Sequence, residues 1–484
     1  MSKQAKTAIT PTRDQDFPEW YQQVIKAADM AENSPVRGCM IIKPYGYALW
    51  ENMQRVFDGI IKDNGVENAY FPLLIPLSFI AREAEHVEGF AKECAVVTHH
   101  RLEAGEHGLQ PAEGAKLEEP YVIRPTSETI IGDAMARWVQ SYRDLPLKLN
   151  QWCNVMRWEM RTRMFLRTSE FLWQEGHNAF ETAEEAREDS LKMLEAYRSF
   201  AEDYLALPVI TGEKTEDERF PGAIATYTIE AMMQDGKALQ AGTSHDLGQN
   251  FAKSIGIKFQ GRDGAEQFAY TTSWGISTRM IGGMIMVHGD DDGMMMPPRI
   301  APHQVVIIPV VRDGQDEAAI NGYIDGLVSK LKGAGIRVKV DRREERTPNK
   351  MWDAIKKGVP VRVEIGGREM EEGTLTYIRR DIGKGSKTSC SVDDFVAEAP
   401  KVLDDIHAAM FDRAKRFRDD NIVDGADLAS VEAHFAEGKT GFVKIDASLM
   451  DDPSFEDTLK AHSLSTRCMP FVDEGKKVLI GKAY

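Results

Sequence analysis

The chain has 484 residues, 42% of them hydrophobic and 28% charged, with a formal net charge of −16. That length calls for two or three domains, the composition excludes a disordered or fibrous protein, and the acidic balance alone argues against a nucleic-acid partner. Five widely spaced cysteines (Cys39, Cys94, Cys153, Cys390, Cys468), none in C-x-x-C spacing, encode neither a disulfide framework nor a thiolate zinc site and fit a cytoplasmic, reducing setting. The opening M-S-K-Q-A-K-T-A-I-T-P-T lacks the apolar core of a secretory signal, and no run of 18 apolar residues is present, so no membrane is expected as a partner.

In chain order, an amphipathic helix is predicted over 15–35, and a stronger one over 47–64 with Leu49, Met53, Val56 and Ile60 on one face, stopped by Gly65. A strand A-Y-F-P-L-L-I-P follows, closing at Pro76. Residues 100–118, rich in Gly, Glu and Ala, read as a surface insertion. Tyr121–Arg124 is a strand leading into the turn Pro125-Thr126-Ser127-Glu128, followed by a helix carrying Ile130, Ala134, Trp138 and Tyr142.

The most informative stretch is 151–177, Q-W-C-N-V-M-R-W-E-M-R-T-R-M-F-L-R-T-S-E-F-L-W-Q-E-G-H. It reads as a strand ending at Arg157-Trp158-Glu159, a loop with Arg161, Arg163 and Arg167, and a return strand to His177. Arginine presents a planar fork of donors suited to phosphate and carboxylate oxygens. With Phe165 able to stack on a base, the hairpin suggests a nucleotide-phosphate site without a glycine-rich loop. The competing reading is a charged surface hairpin.

A long helix opens at the capping pattern Thr182-x-x-Glu185. Strands follow near 238–244 and 268–274, and a last helix precedes a turn at 289–298. From Gln304 the pattern becomes strand, helix, strand, helix, strand, strand, an α/β domain on a mostly parallel sheet. Between Lys330 and Thr388 there are 16 Lys/Arg against 9 Asp/Glu, so this module could grip phosphates although the whole chain is acidic. From about 400 come a helix (402–417) and short strands near 442–445, 468–472 and 478–480.

Taken together, these segments resemble the class II aminoacyl-tRNA synthetases, and among them the prolyl-tRNA synthetases of archaeal and eukaryotic type. The likeness covers roughly four-fifths of the chain. The segment ending at 72–76 looks like motif 1, which in that class builds a homodimer interface; 151–177 looks like motif 2; T-T-S-W-G-I-S-T-R-M-I-G-G-M-I-M-V-H-G-D-D at 271–291 looks like motif 3. R-P-T-S-E, K-A-L-Q-A-G-T-S-H and M-M-P-P-R add specificity. The resemblance implies an α+β fold: an antiparallel-sheet class II catalytic domain (1–300), an α/β anticodon-binding domain (301–398) and a small α+β C-terminal domain (399–484).

It also implies the chemistry, proline activated with ATP and passed to the 3′ end of tRNA(Pro). Arg157 would stabilise charge on the α-phosphate and meet the substrate carboxylate. Glu159 would accept from the adenine amino group, with Phe165 stacked on adenine and Arg279 on the opposite face. Arg167 and Thr168 would contact triphosphate, and Gln240, Thr243 and Ser277 ribose and phosphate. Mg²⁺ would bridge phosphate oxygens, with no protein side-chain ligand. Thr126 and Glu128 would take the secondary ammonium of proline, and Phe90, Trp173, Glu175, His177 and His245 would surround its ring. Arg342, Lys350 and Arg362 would contact tRNA.

The family's K-F-x-x-W-E-x-K-G run is altered at 347–358, which motivates an alternative, an adenylate-forming paralogue with altered tRNA or acceptor use. The family's C-terminal zinc site often has four cysteines; here Cys468 alone remains, so no zinc is expected. The terminal Gly481-Lys482-Ala483-Tyr484 matches a family end in which tyrosine tucks toward the active-site domain. No large insertion separates motifs 2 and 3, so a cis-editing domain is not expected.

Overall fold

The computed structural model describes residues 7–84 and 93–484. Its centre is an eleven-stranded sheet. We number its strands β1 (Glu67–Asn68), β2 (Leu147–Met156), β3 (Glu170–Phe180), β4 (Val209–Glu213), β5 (Ala225–Met232), β6 (Ala238–Gly248), β7 (Tyr270–Ser277), β8 (Ile422–Asp424), β9 (Phe442–Asp446), β10 (Ser465–Pro470) and β11 (Lys477–Gly481). The spatial order is β8-β9-β11-β10-β4-β5-β6-β7-β3-β2-β1, antiparallel except at β1–β2 and β8–β9. The C-terminal strands therefore extend the sheet of the site-bearing region, through the pairs Gly212↔Pro470 and Glu213↔Met469.

The helices around this sheet are, in chain order, α1 (Phe17–Ala27), α2 (Pro44–Asp63), α3 (Glu128–Trp138), α4 (Ala183–Leu205) and α5 (Arg279–His288). Of these, α1, α2, α4 and α5 share the main core on one face, whereas α3 packs on the other, against Leu149 and Ala179. The predicted cap of α4 is present: Thr182 Oγ1 accepts from Glu185 N at 3.2 Å, and Glu185 Oε2 accepts from Thr182 N at 3.1 Å, an arrangement worth about 1 kcal/mol. Met193, Tyr197, Phe200 and Leu205 of α4 join Phe57 and Ile61 of α2 and Trp274 of β7 in the main core. That core frees the opposite face of β3, β5, β6 and β7 for chemistry.

A second, five-stranded sheet pairs Val305–Val310 in parallel with Val338–Val340 and Val361–Gly366, and adds Thr374–Arg379 and Thr388–Ser391 antiparallel. Helices α6 (Glu317–Gly333) and α7 (Thr347–Lys356) accompany it. Then α8 runs Val392–Asp420.

Several element boundaries differ from the sequence reading. The first helix stops at Ala27, and Ala31–Asn33 is already a strand. Of the run 69–76 only Leu74–Pro76 is strand. Helix α3 ends at Trp138, and Tyr142 lies in a 3₁₀ turn. The 100–118 segment is not featureless: Leu102–Gly105 and Gly108–Pro111 form a hairpin. Helix α8 begins ten residues before the expected 402 and passes Pro400, whose ring costs one backbone bond that the helix tolerates by packing Phe395, Leu403 and Ile406.

Candidate active site

Period-two geometry builds the site. Residues facing one side of the sheet fall into cross-strand rows. One row is Thr226, His245, Ser273, His177; the next is Thr228, Thr243, Gly275, Glu175, Gln151; the third includes Ser277, Trp173 and Cys153. Gly275 adds no side chain to the middle row, where a Cβ would sit tightly against Gln174 O, at 3.3 Å. On the other face Trp274 crosses Gly176, where a Cβ would lie 2.0 Å from the indole.

The rows floor a cavity of about 290 Å³. It brings together Thr126, Glu128, Arg157, Trp173, Glu175, His177, Gln240, Thr243 and His245 of the expected residues. It is also lined by residues the sequence reading passed over: Glu218, Arg219, Phe220, Pro221, Thr226, Ser273, Trp274 and Gly275. The E-R-F-P-G run after β4 was the available signal, a turn segment carrying an arginine and an aromatic. Phe220 stacks on His245 with centroids 4.4 Å apart. Arg219 Nε and Ser273 Oγ are buried there without a hydrogen-bond partner among the described residues.

Glu175 is the keystone of the turn that presents Thr126 and Glu128. Its carboxylate accepts from Ser127 N (3.2 Å), Ser127 Oγ (2.5 Å) and Gln151 Nε2 (3.1 Å), and faces His177 Nε2 at 3.0 Å. Burial alone would raise the Glu175 carboxyl; His177, with Ser127 and Gln151, draws it below its ordinary value. Burial would likewise depress His177, but Glu175 raises it, so the two form a charged pair. His245, buried and close to His177, is pushed down to about 3 and is neutral. Thr126 Oγ1 donates a short hydrogen bond to Glu128 Oε2. Below the turn, buried Arg124 grips Phe71 O (2.9 Å) and Asn154 O (2.8 Å).

Arg157 follows the last residue of β2, three positions short of the strand end expected at Glu159. Its Nε donates to Pro125 O at 2.9 Å, and the guanidinium lies 5.2 Å from the Trp173 ring centroid. Its surface is exposed, but into the cavity it lines. Surrounding protein atoms lower its ionisation, opposed by the carboxylates of Glu128 and Glu175. Arg279, opening α5, donates Nε to Leu166 O (3.1 Å). Burial lowers it to about 10, with Arg167 and Arg157 adding to the effect and Glu230 opposing it.

Other expected residues sit outside the cavity lining. Glu159 receives Arg161 N (3.1 Å) and lies 3.7 Å from Arg167. Thr168 is buried and donates to Glu170 O (2.7 Å), and Ser277 Oγ caps Arg279 N (3.1 Å). Phe165 is a correction: its ring is 2% exposed, packed in the main core at φ 61°, so it offers no open face for a base. Phe90 lies outside the described residues.

In the second sheet's region, Arg342 is exposed and paired with Asp325 at 2.6 Å. Arg362 is largely covered and 3.1 Å from Glu364. Lys350 is buried against a junction cavity of about 300 Å³ shared with Tyr45, Arg343 and Lys357. Eight of the 16 cations between 330 and 388 are in ion pairs, so the local positive field is weaker than the count suggested.

An antiparallel sheet with these rows and arginines defines a class of enzyme. Residues 112–288 match the tRNA synthetase class II core domain (G, H, P, S and T), and residues 304–401 the anticodon binding domain. The chain is 56% identical to a proline–tRNA ligase of Bdellovibrio bacteriovorus, over 99% of this chain and 97% of the relative. It is 55% identical to that of Paramagnetospirillum magneticum, over 98% and 96%. A prolyl-tRNA synthetase of Cryptosporidium parvum, solved with halofuginone and AMPPNP, superposes with a TM-score of 0.89 at 37% identity, over 99% of each chain. The same protein solved with L-proline and AMP gives 0.88 at 35%, over 99% and 97%. The chain belongs to the proline–tRNA ligase family of class II synthetases.

Proposed function

We propose that the 290 Å³ cavity binds L-proline beside ATP and forms prolyl-adenylate, which is then passed to the 3′ end of tRNA(Pro). The observation that carries this reading is the meeting of Thr126, Glu128, Arg157 and neutral His245 in one cavity. Thr126 and Glu128 accept the two N–H donors of the proline ammonium. Trp173, His245 and the Phe220 stacked on it wall the small apolar ring. Glu175 and His177 act mainly by holding the 126–128 turn.

Arg157 stands where both substrates meet. The proline carboxylate attacks the α-phosphorus, a new O–P bond forms, and the bond to pyrophosphate breaks. The nucleophile is already an anion, so no base is required; a fixed cation at the α-phosphate stabilises the gathering charge. Arg279, Arg167, Gln240 and Thr243 are assigned to the nucleotide, with Glu159, Thr168 and Ser277 holding the loop and helix that carry the arginines. The carboxylates nearest the nucleotide end, Glu159 and Glu230, are engaged by protein cations. With these carboxylates committed, a Mg²⁺ bound with the nucleotide would draw on phosphate rather than on these side chains, and it would supply charge neutralisation there.

Arg342 is our first candidate for a tRNA contact, with Lys350 and Arg362 behind it. A homodimer across the Leu74–Pro76 region is supported by exposed Tyr70, Leu74, Leu77 and Val96. A cytoplasmic setting is supported by Cys39, Cys153, Cys390 and Cys468, which stand outside any disulfide, and among the described residues no helix is long and apolar enough to cross a membrane. The archaeal and eukaryotic subtype is supported by the end-to-end match to the Cryptosporidium parvum fold, although the sequence relatives cited are bacterial. A second reading, a paralogue with another acceptor, draws on the burial of Lys350 and the pairing of Arg362.

Proline-dependent ATP–pyrophosphate exchange followed by charging of proline tRNA tests these readings. Both activities support the ligase, exchange without charging supports the paralogue, and absence of both refutes adenylation.

A further inference from the structure

Gln240 and Thr243 both line the cavity, although they are three residues apart on one strand. In a regular strand an odd separation puts side chains on opposite faces. The register resolves this: Thr243 faces Thr228 and Gly242 faces Ile229, but Gln240 faces Glu230, so Ala241 is an extra residue on β6. A bulge of this kind re-aims side chains and needs support, because its backbone is locally unpaired.

The support opposite the bulge is a buried charge knot. Glu230 is fully buried and stands directly across from Gln240 on the cavity face. Its Oε1 lies 2.9 Å from Lys214 Nζ and accepts from Thr228 Oγ1 at 3.0 Å. Its Oε2 accepts from Arg467 Nη2 at 2.9 Å and Nε at 3.2 Å. Arg467 comes from β10, and reaches across β4 to do this; its Nη1 is anchored by Ser465 Oγ at 2.8 Å. The strand has no slack: a Cβ at Gly212 would lie 2.5 Å from Met469 O. Without Arg467, Oε2 would be a buried carboxylate oxygen with no donor, a costly state.

Resting on the adenylation reading above, we infer that Arg467 is a positioning residue for nucleotide binding: through Glu230 it holds the β6 bulge that sets Gln240 beside Thr243. Charge points the same way. Arg279 at that end of the site lies within the field of both Glu230 and Arg467. The proline end is distant by comparison, since Thr226 is four residues along β5 from Glu230, roughly 13 Å in an extended strand. A change at Arg467 therefore acts on ATP and spares proline.

The test is steady-state proline-dependent exchange on the full chain, with KM for ATP and for proline measured separately. Arg467→Met should raise the ATP KM by about tenfold or more with the proline KM within about twofold, and Arg467→Lys, which keeps charge without the fork, should fall between. Ser465→Ala, which leaves the ion pair in place and frees Nη1, should raise the ATP KM a few-fold and decides the matter if the Arg467 variants do not fold. Unchanged KM values with a lower kcat, or equal rises in both KM values, would mean that Arg467 serves only the fold and overturn the inference. An unmodified chain without exchange would refute the adenylation reading, and this inference with it.

Discussion

Replacing Arg157 by lysine keeps a cation at the centre of the site and removes its fork. In the structure Nε is committed to Pro125 O at 2.9 Å, which leaves the two Nη groups for the reacting carboxylate and α-phosphate. A lysine ammonium is a compact charge on a flexible stem and cannot keep the Pro125 contact while serving both oxygens. Loss of one preorganised donor to developing oxyanion charge costs about 2.7–4 kcal/mol, or roughly 10²–10³ in rate. Because Arg157 opens into the cavity, solvent screening favours the lower figure, about 10² in kcat/KM for pyrophosphate exchange. Arg157→Ala should fall below detection, since it removes the fixed cation and both Nη donors at the developing charge together. An Arg157→Lys protein exchanging within about threefold of the parent would refute the assignment of the fork to the transition state.

Thr126→Ala should raise the KM for proline more than that for ATP, because Thr126 shares Glu128 with the amine and lies away from Gln240; equal rises would count against the amine contact. Gly176→Ala should cost at least about 1–3 kcal/mol by overpacking, since the new methyl meets an indole already packed edge-on to Tyr197; a thermal scan with an unchanged midpoint would contradict this. The Glu175–His177 pair should give a pH signature. His177, raised above 6.5, contributes stability below that value and loses it as pH rises through its folded pKa. Glu175, held below 4.5, contributes above that value and loses it as pH falls through its lowered pKa. The midpoint difference between the parent and Glu175→Gln should therefore be largest between pH 4.5 and 6.5, and a difference flat with pH would exclude the charged pair.

The sequence alone carried the identity of the chemistry, because the reaction needs particular side chains at particular local spacings. R-P-T-S-E, the arginine hairpin and G-T-S-H could be read in line, and the cap Thr182–Glu185 followed from a rule that spans one helical turn. Phe165 could not be placed that way: its left-handed φ and inward ring depend on the core beneath it. Nor could the 218–221 loop over the cavity, or the role of Glu175 in clamping Ser127, since both are contacts between strands distant in the chain. Likewise Gln240 and Thr243 are legible as residues, but their shared face comes from a bulge held by Glu230 and Arg467, 237 positions apart. Local rules depend on neighbours along the chain, whereas burial, register and charge pairing depend on neighbours in space, and only the folded sheet supplies those.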